Sequence, residues 1–488
     1  MQNKWIELCV GGVVLVEINW SKEVENRKAN LIKETQRFLH IRSILDEQDS
    51  TPETPLGKEI RKALDFMLKL GESDGFKVKN VGNLAGHIEF GEGEELIGIL
   101  CHVDVVPEGD GWTSDPFSAE IREGKIFARG AIDDKGPTMA AYFAMKIVQE
   151  LAVPLHRRVR MILGTDEESQ WRCVDHYFKH EEMPTMGFAP DADFPIINAE
   201  KGISDFDLVQ QANAQREGDF QVEVKSFVAG QRYNMVPDFA KATLEIKRGQ
   251  TEIVQRYRNY LTQQNLKGNY YVNNGNLILE LKGISAHGME PKNGRNAGLY
   301  LAGFIEQLHL DPNSTSYFQF VQKYFANDSR GNTLGIQYSD DLSGELTINI
   351  GKLSFSQEVG GRLGLNLRYP VTANLQETVS KLEILLKQEG FILENFTNSN
   401  PHYVAENDFL IETLKKVYEE QTGEKAELLA IGGGTYARSL KSGVAFGPLF
   451  PGREDIAHQK DEYIIIDDLL KATAIYAQAI YELTRSQK

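Results

Sequence analysis

Short apolar runs alternating with amphipathic helices constrain this chain more than any other feature. A helix over 57–70 precedes strand-like 76–81, 87–90 and 96–106. Segment 126–132 then leads into a helix from about Pro137 to Leu151, and 158–164 is a further strand. Proline in a first helical turn is well placed, because its missing N–H would lack a partner there anyway. This alternation predicts an α/β layer with a mostly parallel sheet. From about residue 206 the texture changes. Strand pairs near 219–228 and 240–247, 270 and 277–284, 344–353 and 361–369 interleave with helices over 251–263, 296–308 and 374–388. Antiparallel pairs of this kind predict an α+β insertion built from two ferredoxin-like halves. The first texture then returns, with helices over 408–421 and 466–484 around a Gly432-Gly433-Gly434 loop. The expected organisation is one α/β domain, 18–205 and 402–488, interrupted by a lid, 206–401.

At 488 residues the chain exceeds a single ordinary core, which agrees with that division. Its net charge of −17 argues against nucleic acid or an anionic membrane as partner. Three cysteines (Cys9, Cys101, Cys173) build no disulfide framework, so a reducing, cytoplasmic setting is expected. The apolar stretch 6–18 is too short to span a bilayer and is interrupted by Glu7 and Glu17. Residues 1–17 are expected to be a non-functional leader. The folded part begins near Trp20, where Val24, Leu31, Phe38 and Leu39 share one helical face.

Polar residues at the ends of the apolar runs carry the chemistry. His102 and Asp104 lie two apart, so a strand would point both to one face. A metal-binding imidazole needs its other nitrogen oriented, often by a carboxylate. The bland reading is a buried histidine satisfied by its neighbour. Asp133 and Asp134 precede a helix and could be simple caps. Asp166, Glu167 and Glu168 crowd a strand end, and Asp191 and Asp193 follow a proline. Glu454, Asp455 and His458 lie near the C-terminus. Strand ends in α/β sheets gather at one edge. Together these segments offer imidazoles and oxygens but no thiolates, which suits zinc, manganese or cobalt, as a pair.

From about Ile18 to the end the chain resembles the dinuclear metallopeptidase superfamily of aminoacylases, carnosinases and glutamate carboxypeptidases. Within it, the likeness is to carnosinase-like bacterial dipeptidases of the PepV type. The motifs that carry it are His102-Val103-Asp104-Val105-Val106-Pro107, Arg129-Gly130-Ala131-Ile132-Asp133-Asp134-Lys135-Gly136, Gly164-Thr165-Asp166-Glu167-Glu168-Ser169, Pro190-Asp191-Ala192-Asp193-Phe194-Pro195 and Gly432-Gly433-Gly434-Thr435-Tyr436-Ala437-Arg438, with His458. The resemblance implies two divalent ions, zinc foremost, with manganese or cobalt as alternatives. Asp133 would bridge them, His102 and Asp191 would hold one, and Glu168 and His458 the other. It implies Glu167 as general base and Asp104 as the acid orienting His102. In the lid it implies His287 at the oxyanion, Asn234 near the substrate, and Arg368 with Gly433, Gly434 and Thr435 at the substrate carboxylate. The implied activity is hydrolysis of small unblocked peptides, Xaa-His or β-alanyl dipeptides among them, by a monomer. The same ligands would also serve a deacylase acting on N-acyl amino acids, of the acetylornithine or succinyl-diaminopimelate type. A non-catalytic peptide-binding relative would have lost the base or ligands, which are present here.

Overall fold

The computed structural model describes residues 18–211 and 219–485 and, as backbone alone, the hairpin Glu7–Val10 with Val13–Val16. The rest of the expected leader lies outside the described residues. By internal contact the chain divides into a first unit, Met1–Asn198 with Val404–Leu429 and Gly434–Lys488, and a second, Ala199–Tyr403 with Ala430–Gly433.

The sheet of the first unit runs in space through Ile196–Glu200, Gly443–Ala445, Met186–Ala189, Leu96–His102, Arg158–Gly164, Ala85–Phe90 and Lys77–Val81. Its centre is parallel, from Gly443–Ala445 to Arg158–Gly164. Both margins are antiparallel, so the parallel character expected throughout is confined to the middle. Every residue of Leu96–His102 is buried. A strand covered on both faces reads as a continuous apolar run, and that is why its period is not two. Helices Lys135–Glu150 and Ile466–Arg485 pack against each other, each burying a broad apolar face. Val24, Leu31, Phe38 and Leu39 are all buried, although the expected single N-terminal helix is two, Trp20–Glu25 and Lys28–Leu39.

In the second unit an antiparallel sheet runs Lys267–Asn273, Asn276–Lys282, Phe239–Ile246, Val222–Ala229, Thr347–Ser356, Gly360–Tyr369, Gly202–Gln210 and Phe391–Glu394. Strand Gly202–Gln210 belongs here because it pairs with Gly360–Tyr369 and Phe391–Glu394. Its half of the sheet is ferredoxin-like in chain order: strand, helix Pro312–Phe325, two strands, helix Leu375–Glu389, strand. The other half has the same spatial order, but Val222–Ala229, which occupies the place of the last strand, comes first in the chain. That whole half is inserted between Gly202–Gln210 and Pro312–Phe325.

Helix Pro312–Phe325 has no counterpart among the predicted elements, and its first turn, Pro312-Asn313-Ser314-Thr315-Ser316, is polar. The Asp311 carboxylate accepts from Ser314 N at 3.0 Å and proline stands in the first turn, a pattern that starts a helix. Tyr317, Phe318, Val321, Tyr324 and Phe325 then bury one face. Among the described residues no helix is long and apolar enough to cross a membrane.

One buried side chain away from the strand ends has a pH consequence. His87 is 6 % exposed, and its Nδ1 lies 2.8 Å from the Tyr177 hydroxyl. Burial, then the nearby Arg160 charge, lowers its pKa to about 4. An unfolded histidine titrates near 6.5. The unfolded chain therefore binds a proton that the folded one refuses, and stability is lost as pH falls from about 6.5 to about 4. The full effect is about 3 kcal/mol. Urea midpoints measured across this range should fall less steeply in His87→Asn than in the parent, and equal slopes would exclude the assignment.

Candidate metal centre

Three adjacent parallel strands of the first unit deliver the donors. Leu96–His102 ends at His102, Arg158–Gly164 runs on into the turn carrying Glu167 and Glu168, and Met186–Ala189 is followed by Asp191. Asp133 stands just ahead of helix Lys135–Glu150, whose N-terminus favours negative charge. Two glycines make that approach passable. Gly130 has φ +84, and a Cβ on Gly136 would lie 2.1 Å from the Ala131 carbonyl oxygen.

The five residues fall into two groups that share Asp133, and each group could hold a metal ion. His102 Nε2 lies 3.0 Å from Asp133 Oδ1 and 3.8 Å from Asp191 Oδ1. His458 Nε2 lies 2.8 Å from Asp133 Oδ2 and 3.1 Å from Glu168 Oε1. One carboxylate thus turns a different oxygen to each imidazole. His102 is fully buried, whereas the His458 side chain is half exposed on its loop.

Consecutive acids on a regular strand point to opposite faces. Glu167 and Glu168 avoid this because the strand has already ended. The Asp104 carboxylate accepts from Glu167 N at 3.2 Å and from Glu168 N at 3.1 Å, one oxygen each. His102 Nδ1 is 3.0 Å from the Asp104 backbone carbonyl and 3.4 Å from its Oδ1. Asp104 therefore holds the His102 ring mainly through its main chain, and its side chain fixes the acidic turn. Asp134 Oδ2 accepts from His102 N at 3.1 Å and from the Thr138 hydroxyl at 2.9 Å, anchoring the His102 backbone. Asp166 is bound by Arg172 and Ser169, and Asp193 lies in neither group. Cys101 points into the core.

Electrostatics fit a cation site. Burial, then the Asp191 charge, raises the Glu167 carboxyl well above its usual range. Burial and Asp133 push Glu168 up to about 7. Burial opposes charge on His458, but Asp133 and Glu168 outweigh it and lift the imidazole to about 11. His102 is raised in the same way by Asp104, Asp133 and Asp191 against its burial. Four crowded carboxylates face two imidazoles, which act as substitute cations. Divalent ions would relieve the remaining negative charge while keeping all the donors. The donor set of imidazole and carboxylate suits zinc, manganese or cobalt.

The candidates in the second unit form their own cluster. Asn234 O accepts from Gly288 N at 2.6 Å, and Met235 bridges to His287. Buried Asn349, passed over in the sequence, donates to the carbonyls of Tyr233 and Met235 on either side of Asn234. Met289 N donates to His287 Nδ1 at 3.3 Å, which assigns the ring proton to Nε2. Arg368 is buried; its Nε donates to Asn366 Oδ1 at 2.7 Å and its Nη1 to the Gly432 carbonyl at 2.9 Å. Asn366 in turn donates to Asp205 at 2.6 Å. Gly433 lies in the second unit, and Gly434 and Thr435 in the first. The Thr435 hydroxyl accepts from Ala437 N and caps the turn Tyr436–Ser439. Asn349 and Asn366 each sit in a strand, where nothing local separates them from ordinary sheet residues.

The chain belongs to peptidase family M20/M25/M40, whose pattern matches residues 98–482, and it is a hydrolase. It is 55% identical to "Putative dipeptidase YtjP" of Bacillus subtilis over 96% of this chain and 100% of that protein. A relative of the same designation from Staphylococcus haemolyticus is 45% identical, over 95% of this chain and 99% of its own. Among solved structures, human carnosine dipeptidase 1 shares the fold at TM-score 0.55 and 14% identity, covering 95% of this chain and 98% of that one. Aminoacylhistidine dipeptidase from Vibrio alginolyticus does so at 0.54 and 12%, covering 94% and 97%.

Proposed function

We propose that this hydrolase is a two-metal dipeptidase acting on short peptides with a free amino terminus, of the PepV-like type. The observation that carries the reading is the shared Asp133, with one oxygen toward each imidazole. The designation of the 55% identical relative supports the substrate class. In this reading the first unit is catalytic and the second is a lid.

His102 and Asp191 would hold one ion, Glu168 and His458 the other, and Asp133 both. When bound, the pair would lower the pKa of a water between them and polarise the scissile carbonyl. Glu167 takes the proton from the attacking water and delivers it to the leaving amine. Asp104 keeps that base in register through the two backbone amides it accepts from. His287, with its proton on Nε2, donates to the developing oxyanion, a contact that strengthens only as charge builds. Arg368 binds the substrate's terminal carboxylate, with Gly433, Gly434 and Thr435 beside it and Asn234 near the substrate. Zinc is the proposed metal. The working form is proposed to be a cytoplasmic monomer.

Turnover of a free-amine dipeptide, compared with its N-acetyl derivative by the zinc-loaded protein, tests the substrate class. We expect the free amine to be cleaved and the blocked form to be poor. Preference for the acetylated compound would instead assign an N-acyl amino acid deacylase.

A further inference from the structure

We propose that the buried pair Arg129–Glu462 positions one of the two metal groups, the one formed by Asp133, Glu168 and His458. This rests on the two-metal reading above. Both side chains are almost wholly shielded, at 2% and 0% exposure, and they are hydrogen-bonded to each other. Burying two charges costs desolvation that their attraction often fails to recover, so stability alone is a weak reason for such a pair. What the pair touches gives a better one.

Glu462 turns its second oxygen to the main chain of the other ligand segment. Oε1 accepts from Ile132 N at 3.0 Å and Asp133 N at 3.4 Å. Arg129 reaches the loop that carries His458. Its Nη2 donates to the His458 carbonyl at 3.2 Å and its Nη1 to the Gln459 carbonyl at 3.2 Å. Nη2 also meets the Glu108 carbonyl at 3.2 Å, and the guanidinium lies over the Trp112 ring at 5.3 Å. A single buried ion pair therefore ties the backbone of His458 to the backbone of Asp133, whose side chains stand 2.8 Å apart.

The need for a tie is visible at His458 itself. Its φ is +63, and Asp461 follows at +56. A non-glycine residue held in the left-handed region persists where its surroundings over-determine it. The side chain is half exposed and the loop has no ladder of its own, so its main-chain partners set the imidazole's direction. His102, by contrast, sits at the end of a buried strand and is anchored by Asp134 and Asp104. Arg129 thus acts on the His458 group alone, whereas Glu462 holds the main chain of Asp133, which both groups share.

Arg129→Lys keeps the charge but loses the fork, and Glu462→Gln keeps the acceptor but loses the charge. Metal-free protein is titrated with Co²⁺ by calorimetry, with folding checked by circular dichroism. The parent should take up two equivalents. Each variant should bind one equivalent about 10- to 100-fold more weakly, the usual scale for partners behind a metal ligand. Arg129→Lys should keep the other at parental affinity, and Glu462→Gln should weaken it by a smaller factor through the shared Asp133. His458→Ala identifies the group affected: adding Arg129→Lys to it should change the remaining site little. Parental binding of both equivalents by the variants, equal weakening of both equivalents in Arg129→Lys, or loss of the metal-free fold in both variants would overturn the proposal. A parent protein that takes up no metal would instead sink the two-metal reading itself.

Discussion

Replacing Glu167 by glutamine is expected to lower kcat for dipeptide hydrolysis by about 10³-fold, inside the range usual for general acid–base catalysis. The change keeps volume and one acceptor oxygen but removes the carboxylate proposed as the base. Glu167 is in neither metal group, so metal content should stay at the parental value. The turn should also survive, because Asp104 holds it through main-chain amides that the substitution does not touch. KM should therefore move little. Steady-state kinetics on zinc-loaded protein, with metal quantified in the same samples, would check this. Undiminished turnover in Glu167→Gln would remove the residue from proton transfer.

Asp133→Asn should be costlier still, because one carboxylate serves both groups. Its oxygens lie 3.0 Å and 2.8 Å from the two imidazoles, and an amide offers only one good acceptor. Partners behind a ligand are worth 10- to 100-fold in metal affinity, so losing a shared ligand should weaken both sites by at least about 100-fold. His458→Ala, which removes a donor from one group only, should leave one tight equivalent. Metal analysis after dialysis against buffer would separate the cases. If Asp133→Asn retained two tight equivalents, the shared-ligand geometry would be wrong.

The segments that carry the candidate donors were legible because each lies at or just beyond the end of an apolar run: His102 closes its strand, Asp191 stands two residues past one and Glu168 four. Which donor in each segment would hold a metal came from motif resemblance for all five residues, since neighbouring acids such as Glu167 and Asp193 have the same local marks and an acid before a helix or a histidine in a loop is commonplace. Relationships across long sequence separations were not legible. Asp104 reads as the acid that orients His102, and nothing local shows that its carboxylate also accepts from the amides of Glu167 and Glu168. Arg129 lies inside a quoted motif, but its partner is more than three hundred residues away, and no spacing rule links them. Helix Pro312–Phe325 was missed because its polar first turn mimics a loop. Strands Ala85–Phe90 and Ile196–Glu200 pair antiparallel without any mark in composition, since antiparallel and parallel strands that are equally buried look alike.

The nested ferredoxin-like halves carry a consequence for synthesis. Strand Gly202–Gln210 leaves the ribosome early, yet both its neighbours, Gly360–Tyr369 and Phe391–Glu394, arrive only after the entire inserted half has been made. Until then it is a nascent strand with two bare edges, the kind of template on which chains stick to one another. Asp205 and Asp207 lie in its middle and later find Asn366, Tyr233 and Asn395 as partners. Before those partners exist, the two carboxylates charge an otherwise uncharged ribbon, so the delay built into the nesting comes with its own guard against premature association.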